Sequence, residues 1–210
     1  MVKGDINSKH SKSILFDLDG VLVDTKPIQF QSLKRALGEY CGLNVDSCEE
    51  LTKDIKTIEK LRILAFQGKI KEEDIPAIYE LKKKFAEEEF MNFEKDKGKI
   101  DLFQYLDLQN IKFGIVTNAN KQSSKFLLQQ LGLLEYVKVL VTNNDVVNAK
   151  PHPEPYIRAM MQIGGKYEHF TVFEDSAIGL AAAVATGTRV VLVSSPNQLT
   201  IDFVRKNINI

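Results

Sequence analysis

The chain has 210 residues, 44% of them hydrophobic, and its 28 basic and 28 acidic side chains give a formal net charge of zero. This length suits one large domain, or one domain with an insertion. Because there is no basic excess, we expect no nucleic-acid partner and no membrane-surface binding. Residues 1–13 lack the apolar core of a signal peptide, and no apolar stretch approaches the ~18 residues of a membrane span. Cys41 and Cys48 match no zinc or redox spacing, so we expect reduced thiols and a cytoplasmic location.

The first apolar run, Ile14–Phe16, is followed by two carboxylates, Asp17 and Asp19. Such a short run predicts a buried parallel strand, and ligands bind in the loops that follow such strands. Crowded acids there are costly unless a cation or a reaction requires them. A calcium loop of the EF-hand type is excluded, because the fifth and sixth positions counted from Asp17 are Val21 and Leu22. Two interpretations remain: a solvated acidic turn, or a metal-assisted phosphoryl-transfer site with a carboxylate nucleophile.

The rest of the chain predicts an α/β fold built on a parallel sheet. Helical patterns over Ser123–Leu131 and Ile178–Ala185 separate several of the later apolar runs. Strands that alternate with short helices are typical of βα units. The later predicted strands are Ile111–Thr117, Val137–Thr142, Phe170–Glu174 and Val190–Val193.

The stretch between the first and second strands is too long for one crossover helix. It carries helical patterns over Ile28–Leu37, Thr57–Phe66 and Ile75–Phe93. We therefore predict a helical insertion over residues 24–95, with residues 1–23 and 96–210 forming the α/β core. The last of these helices contains Lys82–Lys84 and Glu87–Glu89, which we interpret as a solvated, salt-bridged face.

Polar residues also follow the other predicted strands. Thr117 and Asn118 follow the second strand, Lys150 precedes a proline-rich turn, and Glu174 and Asp175 end the fourth strand. Taken singly, each has an ordinary interpretation as a helix cap or a surface side chain. Their joint order supplies what phosphoryl transfer needs: a hydroxyl and an amide for the phosphoryl oxygens, a fixed cation, and carboxylates for a metal ion.

The chain resembles the haloacid dehalogenase superfamily of hydrolases over essentially its whole length. Asp17–Asp24 is similar to the first motif of that superfamily, and Thr117–Asn118 to the second. Lys150–Pro153 is similar to the third motif, and Glu174–Gly179 to the fourth. The insertion resembles the helical cap of the subgroup that includes β-phosphoglucomutase and phosphoglycolate phosphatase. This resemblance implies a Rossmann-like core with an inserted α-helical cap domain.

The resemblance also implies roles for the motif residues. Asp17 would attack phosphorus and form an aspartyl-phosphate, while Asp19 would protonate the leaving oxygen and then deprotonate the attacking water. Thr117 and Lys150 would hold the phosphoryl oxygens, with Asn118 beside them in the substrate-binding set.

The same resemblance implies Mg²⁺ as cofactor, held by the Asp17 carboxylate, the Asp19 backbone carbonyl and Asp175, with Glu174 as a further candidate. The physical argument agrees, because Mg²⁺ prefers hard oxygen ligands and would offset the repulsion between these acids and a phosphate dianion.

The activity implied is that of a phosphatase acting on a small phosphate monoester such as a sugar phosphate. Asp19 disfavours dehalogenases and P-type ATPases, which lack an acid at that position. A sugar phosphomutase is the alternative, although Gln29 stands where β-phosphoglucomutases usually have histidine. A non-catalytic regulatory or binding protein of the same fold is a third interpretation, which no residue favours.

In the segment from Asp54 to Leu61, Lys56 is a candidate substrate contact, although a plain surface lysine is the commoner case. The sequence indicates no oligomeric state.

Overall fold

The computed structural model describes residues 12–45, 48 and 55–209. Their strands form one five-stranded sheet in the order β3-β2-β1-β4-β5, with every pairing parallel. This confirms the predicted α/β fold. The strands are β1 (Ser13–Phe16), β2 (Lys112–Val116), β3 (Leu140–Val141), β4 (Phe170–Glu174) and β5 (Arg189–Leu192).

The central strand β1 explains the position of the acids. Ser13 pairs with Lys112 of β2 on one side and with Phe170 of β4 on the other. All four residues of β1 are buried, which is why its sequence is almost continuously apolar. The chain places β2 and β3 on one side of β1 and returns to place β4 and β5 on the other. The carboxyl end of β1 therefore lies at the point where the strand order reverses, where open α/β sheets bind their ligands.

The described helices include four α-helices between β1 and β2, as well as helices that follow the later strands. Leu15 packs in a cluster with Tyr156 and Ala182, whereas the Phe16 ring packs on the other side of β1 against Phe103 and Phe173. Both faces of the sheet are therefore covered, as a parallel sheet requires. The helices are α1 (Lys26–Cys41), α2 (Thr57–Phe66), α3 (Ile75–Phe90), α4 (Lys97–Leu108), α5 (Lys121–Gln130), α6 (Glu154–Ile163), α7 (Ala177–Val184) and α8 (Ile201–Ile208).

The chain divides into two compact units. One comprises Met1–Asp24 with Glu94–Ile210, and the other is Thr25–Phe93. The predicted insertion, residues 24–95, has almost the same limits as the unit Thr25–Phe93. The second unit has its own apolar cluster, formed mainly by Leu33, Leu37, Leu61, Leu64, Ile78 and Phe85. Asp54, the first residue of the predicted substrate segment, lies outside the described residues.

Some sequence-based details were wrong. Lys82 does not lie on a solvated face: its side chain is buried and its ammonium donates to Oε1 of Gln29 within the same unit. The long stem of a lysine covers apolar surface, and here α3 packs against α1 along that side. Its neighbour Lys83 does pair with Glu80 as a surface residue would. The third strand is only two residues long, and α4, α6 and α8 had no counterpart among the predicted helices.

No helix among residues 12–45 and 55–209 combines the length and the apolar character needed to cross a bilayer.

Candidate active site

Asp17 lies directly after β1 and is almost completely buried. Its backbone N–H donates to the carbonyl of Phe173 in β4 at 3.0 Å, which continues the sheet pairing by one residue. Its Oδ1 accepts a hydrogen bond from Nζ of Lys150 at 2.5 Å. A buried carboxylate needs such a partner, because its desolvation would otherwise oppose folding.

Lys150 is buried and reaches the ends of three strands. Besides Asp17, its ammonium donates to the carbonyl of Val116 at 2.8 Å and to Oε1 of Glu174 at 2.6 Å. All three ammonium protons are thus directed at oxygen acceptors. Its backbone is held by Asn118, whose Oδ1 accepts from the Lys150 N–H at 3.0 Å and whose Nδ2 donates to the Lys150 carbonyl at 3.1 Å.

The Asn118 amide therefore uses both its donor and its acceptor to fix the Lys150 backbone. Its predicted role in binding substrate stays a prediction. The sequence placed Asn118 after the second strand and Lys150 before a proline-rich turn, and the structure shows the contact between them. Asn118 fixes the loop that carries the lysine.

Glu174 is the last residue of β4 and is fully buried. Its Oε1 accepts from Lys150 and, at 2.6 Å, from the hydroxyl of Tyr156. Its Oε2 accepts from the backbone N–H groups of Asp175 and Ser176 at 3.0 and 3.2 Å, and from the Ser176 hydroxyl at 3.1 Å. Both carboxylate oxygens are saturated with donors, so this side chain is rigidly held.

Two glycines make room for the acids of β4. A Cβ added at Gly179 in α7 would lie 1.8 Å from Oε1 of Glu174, and one added at Gly20 would lie 2.1 Å from Oδ2 of Asp175. Gly20 also has a φ of +96°, which residues with a side chain rarely adopt. The glycine after the Asp17–Asp19 pair is thus required both for the turn and for the approach of Asp175.

Within this cluster, burial and the neighbouring charges shift the pKa values of the side chains in opposite directions. The pKa of Asp17 is raised to about 7 because burial and the neighbouring Glu174 raise it by more than the Lys150 ammonium lowers it. Burial would also raise the pKa of Glu174, but Lys150 and hydrogen bonds from Lys150 and Tyr156 bring it below its usual value. Burial would lower the pKa of Lys150, yet Asp17 and Glu174 hold it above its usual value. Lys150 therefore stays protonated.

Three carboxylates form a set that a metal ion fits. Asp17, Glu174 and Asp175 each offer an oxygen, and these oxygens lie within 4.8 Å of one another. Hard oxygen donors are the ligands that Mg²⁺ prefers. Asp175 is half-exposed, whereas Glu174 has no exposed surface. Since the hydroxyl of Ser176 caps α7 by accepting from the Gly179 N–H at 3.1 Å, the cap does not require Asp175.

The remaining predicted site residues lie as follows. Thr117 directly follows β2, is buried, and its Oγ1 accepts from the Ala119 N–H at 3.1 Å. Asp19 is half-exposed in a tight turn that brings it into a bridge with Val23. Lys56 is exposed and precedes α2 in the unit Thr25–Phe93. The structure thus brings Asp17, Lys150 and Glu174 into direct contact, with Thr117 next to Val116, whose carbonyl binds Lys150.

The sequence analysis missed Tyr156. It lies in α6, six residues after Lys150, and contacts both Lys150 and Glu174. The signal available in the sequence was a single tyrosine shortly after the proline-rich segment, which by itself favours a core position.

A comparison with protein families decides the classification of this site. The family model of the haloacid dehalogenase-like hydrolases matches residues 14–193, which contain every residue of this candidate site. The chain belongs to the haloacid dehalogenase-like hydrolase family. The family predicted from the motifs is thereby confirmed.

Relatives within this hydrolase family include named phosphatases. The chain is 28% identical to the phosphorylated carbohydrates phosphatase of Thermotoga maritima over 180 residues, which cover 84% of this chain and 82% of that protein. It is 30% identical to the pyrophosphatase PpaX of Oceanobacillus iheyensis over 166 residues, which cover 79% of this chain and 75% of that protein.

Solved structures show the same fold. A family IA hydrolase from Entamoeba histolytica has a TM-score of 0.78 at 21% identity, covering 95% of this chain and 100% of that chain. The β-phosphoglucomutase of Clostridium difficile has a TM-score of 0.76 at 22% identity, covering 94% and 97%. At such identities the likeness establishes the α/β fold of the hydrolase family and carries no choice between phosphatase and mutase.

Proposed function

We propose that this protein is a phosphatase that hydrolyses small phosphate monoesters through an aspartyl-phosphate intermediate. The observation that carries the proposal is the buried contact between Asp17 and Lys150 at the switch point of the sheet, with Asp175 alongside. The phosphatase names of the relatives support it. Phosphoryl transfer depends mainly on positioning and on charge neutralisation, which a fixed ammonium and a rigid carboxylate frame provide.

In the first step, a carboxylate oxygen of Asp17 attacks phosphorus and the bond from phosphorus to the leaving oxygen breaks. Asp19 gives its proton to that oxygen, so the product leaves as an alcohol. In the second step, water attacks phosphorus, Asp19 takes a proton from it, and the bond to Asp17 breaks to release inorganic phosphate. Lys150 and Thr117 hold the phosphoryl oxygens throughout, and Lys150 offsets their negative charge.

The residues that would hold Mg²⁺ are the Asp17 carboxylate, the Asp19 backbone carbonyl and Asp175. When bound, the ion neutralises charge on the phosphoryl group and favours the charged form of Asp17. Glu174 lies beside Asp17 and Asp175 and adds a negative charge to this set of acids. Because five donors already saturate its oxygens, we assign direct binding to Asp175 and a supporting role to Glu174.

Substrate choice is assigned to the unit Thr25–Phe93, acting as a cap, and the substrate class is a phosphorylated sugar or similar metabolite. The name of the Thermotoga maritima relative supports this class. Lys56 stays a candidate substrate contact because it is exposed at the start of α2. Asn118 is assigned to the positioning of Lys150, since both ends of its amide are engaged there. A cytoplasmic location fits the free thiols of Cys41 and Cys48.

The decisive experiment is the replacement Asp17→Asn, which keeps the shape and removes the attacking charge. Phosphate release from a panel of phosphorylated metabolites with Mg²⁺ should fall to background, while circular dichroism shows a native fold. The matched control is Asp107→Asn in α4, an exposed acid paired with Lys138, which should keep full activity. Substantial turnover by a folded Asp17→Asn protein would contradict the mechanism.

The sugar phosphomutase remains the alternative, because β-phosphoglucomutase shares the fold. The observation against it is Gln29, whose amide accepts from the buried Lys82 ammonium and has no titratable group to exchange protons with a sugar hydroxyl. With a hexose 1-phosphate and the matching bisphosphate, the protein should release inorganic phosphate. Isomerisation that outpaces phosphate release would favour the mutase.

A further inference from the structure

Tyr156 combines complete burial with two contacts to the charged cluster. The side chain packs among apolar residues of α6 and the sheet, including Leu15 and Val172. Its hydroxyl nevertheless donates to Oε1 of Glu174 at 2.6 Å, and its ring centroid lies 4.7 Å from Nζ of Lys150. The same aromatic residue therefore contacts the carboxylate that holds the lysine and the lysine itself.

Packing alone does not require this hydroxyl. A phenylalanine would fill nearly the same volume without introducing a buried polar atom. The hydroxyl donates to the same oxygen of Glu174 that accepts from Lys150. It thus limits the movement of that oxygen, and the aromatic face limits the movement of the ammonium on another side. Burial and the neighbouring carboxylates raise the pKa of Tyr156 well above its usual value, which keeps the hydroxyl protonated and donating.

We propose that Tyr156 is a positioning residue: its hydroxyl fixes Glu174, and Glu174 together with the tyrosine ring fixes the Lys150 ammonium at Asp17. The role rests on the proposed phosphatase function, in which Lys150 holds the transferred phosphoryl group. Tyr156 itself touches none of the reacting atoms.

The first test is Tyr156→Phe, which removes only the hydroxyl. A displaced ammonium weakens stabilisation of the transition state, so kcat should fall about tenfold while KM changes less than about twofold. The matched control is Tyr136→Phe, which also removes one hydroxyl, here accepting from Nε2 of Gln104 at 2.9 Å. The control should keep the kcat of the parent, and a Tyr156→Phe protein with unchanged kcat would overturn the proposal.

A double-mutant cycle tests whether Tyr156 acts through Glu174. In a Glu174→Gln background, Tyr156→Phe should lower kcat less than about twofold, because the carboxylate that transmits its effect is already gone. Equal losses in both backgrounds would show that the tyrosine acts independently of Glu174 and would overturn the proposal.

A third measurement does not depend on activity or on Glu174→Gln folding. In protein labelled with ¹⁵N-lysine, the Lys150 ammonium should give an NMR signal protected from exchange, assigned by its loss in Lys150→Met. Tyr156→Phe should shift or broaden this signal, and Tyr136→Phe should leave it in place. An unmoved signal in folded Tyr156→Phe would refute the positioning role. A parent protein that releases no phosphate would refute the phosphatase proposal alone.

Discussion

Gly179 allows a quantitative test of how closely the site is packed. Gly179→Ala adds one methyl group in α7, and its Cβ would lie 1.8 Å from Oε1 and 2.0 Å from Cδ of Glu174. The carboxylate has no free space to enter, because it is fully buried and held by Lys150, Tyr156 and the backbone after β4. Either Glu174 or helix α7 must therefore move.

The expected magnitude follows from opposing terms. Alanine in place of glycine within a helix would by itself stabilise by about 1 kcal/mol. Overpacking costs about 1–3 kcal/mol, and weakening a hydrogen bond to a charged group costs a further ~1.5–3 kcal/mol. The free energy of unfolding should consequently fall by about 1.5–5 kcal/mol. Phosphate release should fall with it because the Lys150 ammonium loses a partner.

The assay is urea unfolding followed by circular dichroism, with Gly38→Ala as the matched control. Gly38 lies in α1 with nothing within 4 Å of an added Cβ, so the same change there should be neutral or stabilise by up to about 1 kcal/mol. If Gly179→Ala proved as stable as Gly38→Ala, the argument that Glu174 is immovably packed would be refuted.

Two further predictions concern the metal and the acid sensitivity of the fold. Asp175→Ala should raise the Mg²⁺ concentration for half-maximal rate at least about tenfold, and EDTA should abolish activity of the parent; an unchanged midpoint in a Mg²⁺ titration would remove Asp175 from the metal site. Burial would raise the pKa of Asp145, but hydrogen bonds from Lys121 and from Thr142 lower it to about 2. A carboxyl whose pKa is depressed in the folded state stabilises above its unfolded pKa and loses that effect as the pH falls toward its folded pKa. Asp145→Asn should therefore cost about 1 kcal/mol at pH 6, and the gap from the parent should narrow below about pH 4; a gap independent of pH in urea titrations would contradict this assignment.

The sequence predicted the core elements well where burial is strongest. The run Ile14–Phe16 and the span Phe170–Glu174 were recognised because strands buried on both faces are apolar along their length. The two-residue β3 was overestimated, since the apolar run Val137–Thr142 continues beyond the residues that pair with β2. Helix α6 was not predicted because its first turn follows a proline-rich segment, which is typical of a turn.

The sequence by itself determined the family and the identities of the charged residues, because motif spacing and the order of strand ends are local properties of the chain. Only the tertiary structure decided their partners. It showed that Asn118 binds the backbone of Lys150, that Glu174 is saturated while Asp175 is half-exposed, and that Tyr156 reaches both Lys150 and Glu174. The geometry of these contacts, and of the contact between Lys150 and Asp17 across 133 positions of the chain, depends on how helices and strands pack, which no local pattern encodes.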